Sequence, residues 1–252
     1  MLKFENVSKV FHANTANQRV ALDNVSLDLP KGDFVTIIGG NGAGKTTLMN
    51  AVSGVFLADS GRIVLDGQDI TFLPEYKRAR HIGRLFQDPM KGTAPNMTIA
   101  ENLALAYKQA ENTRFRIGIG KALLAMFREQ LARLDLGLED RMKTKMGLLS
   151  GGQRQAVTLL MATICTPKLL MLDEHTAALD PATGEKVLNL TREIVAKNEI
   201  TTIMVTHHIE SALALGNRTI MMEDGKIVLD ISGLERSALT VEELVAKFRI
   251  KI

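Results

Sequence analysis

Short apolar runs alternate with segments of helical spacing along most of the chain. The runs "FVTIIG", "KLLMLDE" and "TTIMVTH" carry consecutive aliphatic residues and predict short buried strands. The segment "PATGEKVLNLTREIVAKN" predicts a helix with Pro181 near its first turn. Strands that alternate with helices indicate an α/β fold with a mixed, largely parallel sheet.

Further strands are predicted towards both ends of the chain. "LKFENVSKVF", "VALDNVSLDLP" and "GRIVLDGQDI" predict an N-terminal antiparallel β subdomain, in which the third segment turns at Asp66-Gly67. "IGRLF" predicts a strand that ends at Gln87. "RTIMMEDGKIVLDI" predicts a hairpin whose turn is Glu223-Asp224-Gly225.

The composition changes between about Asp88 and Thr166. There, "TIAENLALAYKQA" and "GKALLAMFREQLARLDLGL" show helical spacing with few β-branched residues. We therefore predict one domain, residues 1–252, with a core at 1–87 and 167–252 and an inserted α-helical subdomain at about 88–166. The basic residues Arg114, Arg116 and Lys121 of this insert face either anionic lipid head groups or solvent.

Composition limits the possible classes of protein. A chain of 252 residues that is 46% hydrophobic suits one globular domain, and a net charge of +3 is too small to indicate a nucleic-acid partner. Cys165 is the single cysteine, so it forms no intramolecular disulfide, and we expect a cytosolic protein. The sequence has no signal-peptide pattern and no run long enough to span a membrane, so we expect any membrane to be reached through another chain.

A glycine-rich stretch follows the first buried run. "GGNGAGKTT", Gly39–Thr47, contains the pattern G-x-x-x-x-G-K-[ST] between a predicted strand and a helix that starts near Lys45 and stops at Gly54. Glycines let the backbone approach phosphate oxygens, and a helix N-terminus adds partial positive charge. We expect Lys45 to reach the β- and γ-phosphates and the Thr46 hydroxyl to ligate Mg²⁺. The residues expected to bind nucleotide here are Gly39, Asn41, Gly42, Ala43, Gly44, Lys45, Thr46 and Thr47.

Two adjacent carboxylates end the run "KLLMLDE". A parallel strand delivers residues at its carboxyl end to the edge of the sheet where α/β proteins bind ligands. We expect Asp173 to hold Mg²⁺ through a water molecule and Glu174 to orient or deprotonate the attacking water.

The stretch "LLSGGQRQAV" offers a second anion-binding feature. Ser150, Gly151 and Gly152 stand at the predicted start of a helix through "AVTLLMATIC", where free N–H groups can bind phosphate. One ATP does not need two such sites in one chain. A symmetric head-to-tail dimer explains both, because each chain then covers the ATP bound by its partner's phosphate loop.

The order of these motifs resembles that of the ATP-binding cassette (ABC) ATPases, over nearly the whole chain. "LSGGQ", which includes Gln153, is similar to the signature motif of that family. The resemblance implies an adenine-stacking role for Phe11, a Q-loop role for Gln87 in sensing Mg²⁺ and γ-phosphate, and a switch role for His207 on the γ-phosphate. "AALD", which ends at Asp180, is similar to the D-loop.

Two residues depart from the common family pattern. His175 stands where proline usually follows the catalytic glutamate, and Ala177 replaces a frequent serine. A protonated His175 would alter the charge near the site. "GTAPNMTIAENL" and "DEHTAALDP" resemble a branch of bacterial cassettes in which this histidine is usual, so Glu174 is still expected to support hydrolysis.

The resemblance implies an Mg²⁺-dependent ATPase that forms a homodimer on the cytoplasmic face of the membrane. The resemblance also implies that it binds polytopic permease subunits and works indirectly with an extracytoplasmic solute-binding protein. The expected activity is solute import, with an amino acid as the candidate solute. Met90, Pro95, Met97 and Ile99 suit a groove for a short permease helix, with interior packing as the alternative. The importer assignment predicts no nucleic-acid partner. The alternative function is a soluble ABC-type ATPase that acts on nucleic acid or ribosomes.

Overall fold

The computed structural model describes residues 1–111 and 118–249, so Arg114 and Arg116 lie outside the described residues. The chain divides into two compact units. The first comprises Met1–Arg78 and the segment from Glu199 onward, and the second comprises Ala79–Asn198. Among the helices of the described ranges, none is both long and apolar enough to cross a membrane.

The first unit contains most of the strands. Its strands are β1 (Leu2–Phe11), β2 (Arg19–Leu29), β3 (Phe34–Ile38), β4 (Ser60–Leu65), β5 (Gln68–Asp69), β8 (Thr201–Val205), β9 (Arg218–Glu223) and β10 (Lys226–Ser232). Its helices are α1 (Lys45–Ser53), α2 (Glu75–Arg78), α7 (Ile209–Ala214), α8 (Gly233–Ala238) and α9 (Val241–Arg249).

The second unit is mainly helical. Its strands are β6 (Ile82–Leu85) and β7 (Leu169–Asp173), and its helices are α3 (Ile99–Glu111), α4 (Lys121–Ala132), α5 (Gly151–Thr163) and α6 (Pro181–Asn198). A 3₁₀ turn, Met146–Leu148, precedes α5.

An antiparallel sheet forms the N-terminal part of the first unit. Its strand order is β2-β1-β4-β5, and Leu2 of β1 lies opposite Leu29 of β2 and Leu65 of β4. Leu2, Phe4 and Val7 of β1 are buried, and their hydrophobic burial supports the sheet. The predicted antiparallel β subdomain is thereby confirmed.

Strands β10, β9, β3 and β8 are neighbours in that order. β3 runs parallel to both β8 and β9, and all five residues of β3 and of β8 are buried. Burial on both faces explains why these strands read as continuous apolar runs. Because parallel strands end at the same edge, the segments after Ile38 and Val205 leave the sheet side by side.

The second unit has its own apolar core. Strands β6 and β7 pair in parallel, with Leu85 opposite Leu172. Helices α3, α4 and α5 bury side chains in one cluster, whose members include Ile99, Leu103, Phe127, Leu131, Met146, Val157 and Leu160. The predicted helical segments lie in this unit, and the proposed subdomain limits of about 88–166 stay a prediction.

Most predicted elements are confirmed, but some ends differ. Strand β6 ends at Leu85, two residues before Gln87, and α5 ends at Thr163. Helix α4 ends at Ala132, because Asp135 adopts a left-handed backbone with φ 53° and the chain turns there. Ile99 is fully buried, so its assignment to a docking groove is wrong and interior packing is correct.

Candidate nucleotide-binding site

The glycine-rich loop begins directly after strand β3 and leads into helix α1. Gly39, Gly42 and Gly44 all have positive φ, of 154°, 84° and 103°. A Cβ atom on Gly44 would lie 2.6 Å from the carbonyl oxygen of Ala21, so only glycine fits there. Helix α1 starts at Lys45 and ends before Gly54, a left-handed C-cap, as predicted.

The first turn of α1 has a glycine N-cap and begins with a lysine. Gly44 is its N-cap and has no side chain that could accept a hydrogen bond from the first turn. Lys45 is only 9% exposed, and its Nζ donates to the carbonyl oxygens of Gly39 at 2.7 Å and Gly40 at 2.9 Å. The ammonium group is thus held over the loop, where a phosphate could replace carbonyl oxygens as its acceptor. Thr46 is exposed and Thr47 half-buried.

An aromatic corner lies at the end of strand β1. The half-buried ring of Phe11 packs edge-to-face against Phe56, with ring centroids 5.3 Å apart and an interplanar angle of 88°. Lys9 Nζ lies 5.7 Å from the Phe11 centroid and 5.4 Å from the Phe56 centroid, within cation–π range. Asp59 accepts a hydrogen bond from the same ammonium at 2.6 Å and fixes it in place. Phe56 and Lys9 were not identified from sequence, because no motif marks them.

His207 follows strand β8 at the edge of the sheet where the phosphate loop starts. The backbone N–H of Thr206 donates to Ile37 O at 3.2 Å, which ties the end of β8 to the end of β3. His207 is exposed, and its ring centroid lies 4.2 Å from that of His208. His208 is the N-cap residue of α7.

The carboxylate residues lie in the second unit. Asp173 is the last residue of β7, Gln87 is exposed two residues beyond the end of β6, and Glu174 and Asp173 are half-buried. Glu174 has φ 44°, an unusual backbone conformation for a residue with a side chain. Such outliers cluster at functional sites, where surrounding contacts maintain them.

His175 is buried and neutral. It is 3% exposed, and burial lowers its pKa to about 4. Thr191 Oγ1 donates to Val187 O at 2.8 Å, so its oxygen is left to accept from His175 Nε2 at 3.2 Å. The hypothesis that a protonated His175 adds charge to the site is therefore wrong. The neutral ring instead connects the residue after Glu174 to helix α6 through its hydrogen bond with Thr191.

The segment after His175 is a series of turns. Ala177 N–H donates to Glu174 O at 3.0 Å, and Leu179 N–H donates to Thr176 O at 3.1 Å. Asp180 is exposed and its pKa is lowered by hydrogen bonds from the Thr183 hydroxyl and backbone N–H. Asp180 thus begins helix α6 as a charged capping residue.

The signature segment forms a capping box at the start of α5. Ser150 Oγ accepts from Gln153 N–H at 3.2 Å, and Gln153 Oε1 accepts from Ser150 N–H at 3.3 Å. The bond from Gln153 N–H uses the Ser150 oxygen as an acceptor, so the Ser150 hydroxyl hydrogen can donate to another group. Gly151 is exposed, and Gly152 is buried against the Thr183 methyl group, which a Cβ on Gly152 would overlap.

The fold, the glycine-rich loop with Lys45 and the helix start at Ser150 define a phosphate-loop ATPase. The family model described as ABC transporter matches residues 22–177. The chain belongs to this ABC transporter family, and it binds and hydrolyses ATP.

Named relatives and solved structures are similar over most of their length. A tyrosine transport ATP-binding protein of Clostridioides difficile is 43% identical, with 100% of both chains covered. A phosphonates import ATP-binding protein of Lactococcus lactis subsp. cremoris is 34% identical, covering 98% of this chain and 99% of that one. A methionine import ATP-binding protein of Mannheimia succiniciproducens is 35% identical, covering 98% and 70%.

Among solved structures, a dimeric ATP-binding cassette in a post-hydrolysis state with ADP and Pi is 30% identical. Its TM-score is 0.78, with 92% of this chain and 98% of that one covered. A nucleotide-free cassette from an ABC transporter is 28% identical, with a TM-score of 0.81 and 100% and 98% covered.

Proposed function

We propose that the chain is the ATPase subunit of an importer and that it acts through separate membrane subunits. The observation that carries the ATPase part of this proposal is the presence in one chain of a Lys45 phosphate loop and a second helix start, at Ser150, that can bind an anion. The similar phosphonates import and methionine import ATP-binding proteins support import as the direction of transport. The soluble alternative, an ATPase that acts on nucleic acid or ribosomes, finds no support among them.

In the proposed site, the first unit binds the body of the nucleotide. Phe11 stacks on adenine, and the loop residues Gly39, Asn41, Gly42, Ala43, Gly44, Thr46 and Thr47 surround the phosphates with backbone N–H groups. Lys45 exchanges its loop carbonyl contacts for β- and γ-phosphate oxygens. His207 donates to the γ-phosphate from the neighbouring strand end.

Oxygen-bearing side chains are the proposed metal ligands, and Glu174 is the proposed base. The Thr46 hydroxyl, Gln87 and Asp173 are hard oxygen donors of the type that Mg²⁺ prefers, and they would hold the ion. When bound, Mg²⁺ neutralises charge on the phosphate oxygens. Glu174 orients the attacking water and accepts its proton, and its unusual positive φ supports a functional role for this turn.

Each nucleotide-binding site is completed by a second copy of the chain. Ser150, Gly151, Gly152 and Gln153 of one copy contact the γ-phosphate bound to the other, and Asp180 lies at the contact between copies. The Ser150 hydroxyl hydrogen, which the capping box leaves available, is the proposed donor. The dimeric state of the similar cassette supports this arrangement.

The membrane partner is a polytopic permease, which places the chain at the cytoplasmic face of the membrane as a peripheral subunit. We assign docking to the helical subdomain at about 88–166, in which Met90 is 39% exposed. An extracytoplasmic solute-binding protein takes part indirectly, and no nucleic acid is involved. The proposed solute is an aromatic amino acid, on the strength of the tyrosine transport relative.

ATP hydrolysis by purified protein tests the residue roles. Glu174→Gln should keep ATP affinity within about twofold and lower kcat by about a hundredfold or more, because general base catalysis contributes that much. Glu185→Gln, an exposed change on α6, is the matched control. If Glu174→Gln hydrolyses ATP at the normal rate, the assigned catalytic role is wrong.

Uptake by cells that express the whole transporter tests the solute. Lys45→Ala should abolish uptake of labelled tyrosine, whereas the exposed change Lys31→Met should not. Unchanged tyrosine uptake, together with loss of methionine or phosphonate uptake, would transfer the assignment to that solute.

A further inference from the structure

Arg19 lies between the aromatic corner and the phosphate loop. It begins strand β2 and is the direct cross-strand partner of Phe11 in the antiparallel pair. Residues that lie opposite one another in such a pair project from the same face of the sheet. The Arg19 side chain reaches the loop, where Nη2 donates to Gly42 O at 2.8 Å.

Most of the hydrogen-bonding capacity of this guanidinium remains available. Arginine carries five N–H donors, and among the residues that the structure describes, Gly42 O is the only acceptor that Arg19 contacts. No carboxylate of the described ranges forms an ion pair with it, and the residue is exposed. Its charge is therefore not neutralised within this unit.

Gly42 makes room for the guanidinium. Its φ is 84°, and a Cβ atom would lie 2.5 Å from Arg19 Nη2. Lys45 Nζ binds the carbonyl oxygens of Gly39 and Gly40, so the loop carries one cation at its start and another at Gly42. Two cationic side chains therefore contact one short loop. This indicates that the loop binds more negative charge than Lys45 alone would balance.

We infer that Arg19 is a second cationic residue for the nucleotide and that it donates to the phosphate group next to the ribose. This inference rests on the proposed roles of Phe11 and the phosphate loop. If adenine stacks on Phe11 and the terminal phosphates bind at Lys45, the intervening ribose and first phosphate pass the guanidinium. The planar fork of arginine suits two phosphate oxygens.

The experiment measures ATP affinity by calorimetry at low and high salt. Arg19→Met should weaken ATP binding by about tenfold, in the range of a lost charge-assisted hydrogen bond. Arg19→Lys should recover part of the loss, because it keeps the charge but not the fork. The defect of Arg19→Met should shrink as salt rises, since screening weakens the contact in the wild type. Lys31→Met removes the same charge from an exposed position of the same unit and should leave affinity unchanged.

Three results would overturn the inference. These are an ATP affinity of Arg19→Met equal to that of the wild type, a defect that does not change with salt, and no recovery of affinity in Arg19→Lys. A defect that is independent of salt and not improved by lysine would confine Arg19 to shaping the Gly42 carbonyl. Lys45→Ala separates the two proposals: normal binding by that variant would refute the phosphate-loop site itself. If Lys45→Ala weakens binding and Arg19→Met does not, the Arg19 inference alone fails.

Discussion

The buried histidine beside the proposed catalytic glutamate makes the stability of the nucleotide-free protein depend on pH. His175 has a pKa of about 4 in the folded chain, because burial disfavours its charged form, against 6.5 for an exposed ring. Between these values the unfolded chain binds a proton that the folded chain does not. Stability is therefore highest above pH 6.5 and falls as the pH drops towards 4.

The two pKa values set the size of this effect. Relative to neutral pH, the His175 contribution to the free energy of unfolding should fall by about 1.4 kcal/mol at pH 5.5 and by about 2.5 kcal/mol at pH 4.5. Replacement by glutamine, which cannot take up a proton in this range, should remove that dependence. His208→Gln is the control, since its ring is exposed.

Urea unfolding followed by circular dichroism, at pH 7.5, 5.5 and 4.5, measures the difference. The gap between wild type and His175→Gln should change with pH by the amounts above, while His208→Gln should parallel the wild type. Parallel curves for wild type and His175→Gln would refute a buried, neutral histidine at this turn.

Three further changes test contacts within one unit each. Gly152→Ala should destabilise the protein by about 1–3 kcal/mol through overlap with the Thr183 methyl group, and adding Thr183→Ser should restore much of the melting temperature. Phe56→Ala should raise the Kd for ATP about threefold, because the Phe11 ring loses an aromatic contact of about 0.5–1.5 kcal/mol; an unchanged Kd would exclude a supporting role. Arg78→Met should lower the free energy of unfolding by about 3 kcal/mol or more, since the buried guanidinium donates to four carbonyl oxygens. Thermal unfolding measures this, with the exposed Arg62→Met on β4 as the control. A loss of stability no larger than that of Arg62→Met would contradict the prediction.

Sequence patterns were sufficient for the strands and helices whose burial follows a simple period. Strands β3 and β8 are buried on both faces, so their apolar runs were unambiguous. Helix α4 was predicted too long because Leu134 and Leu138 continue the apolar pattern after the helix ends, and both are buried from the turns that follow. The spacing of apolar residues indicates which side chains are buried, but leucines in turns after a helix can be buried as well.

The supporting contacts of the site were harder to anticipate. The Ser150–Gln153 capping box has a recognised sequence pattern and could have been found, since serine precedes glutamine by three residues. No local signal marks Phe56 as the neighbour of Phe11, because the contact joins distant segments. Likewise, the neutral state of His175 follows from burial of its ring beside Thr191, which only the folded unit provides.

The measurement that tests the central claim most directly is the mass of the Glu174→Gln protein in solution with MgATP, by analytical ultracentrifugation. If each nucleotide is held by Lys45 of one copy and Ser150 of the other, this variant should sediment as a dimer with ATP and as a monomer without it. Adding Gly151→Asp should prevent dimerisation, because an acidic residue suits the first turn of a helix but repels phosphate. A monomer with saturating MgATP, or a dimer that persists after Gly151→Asp, would contradict the claim.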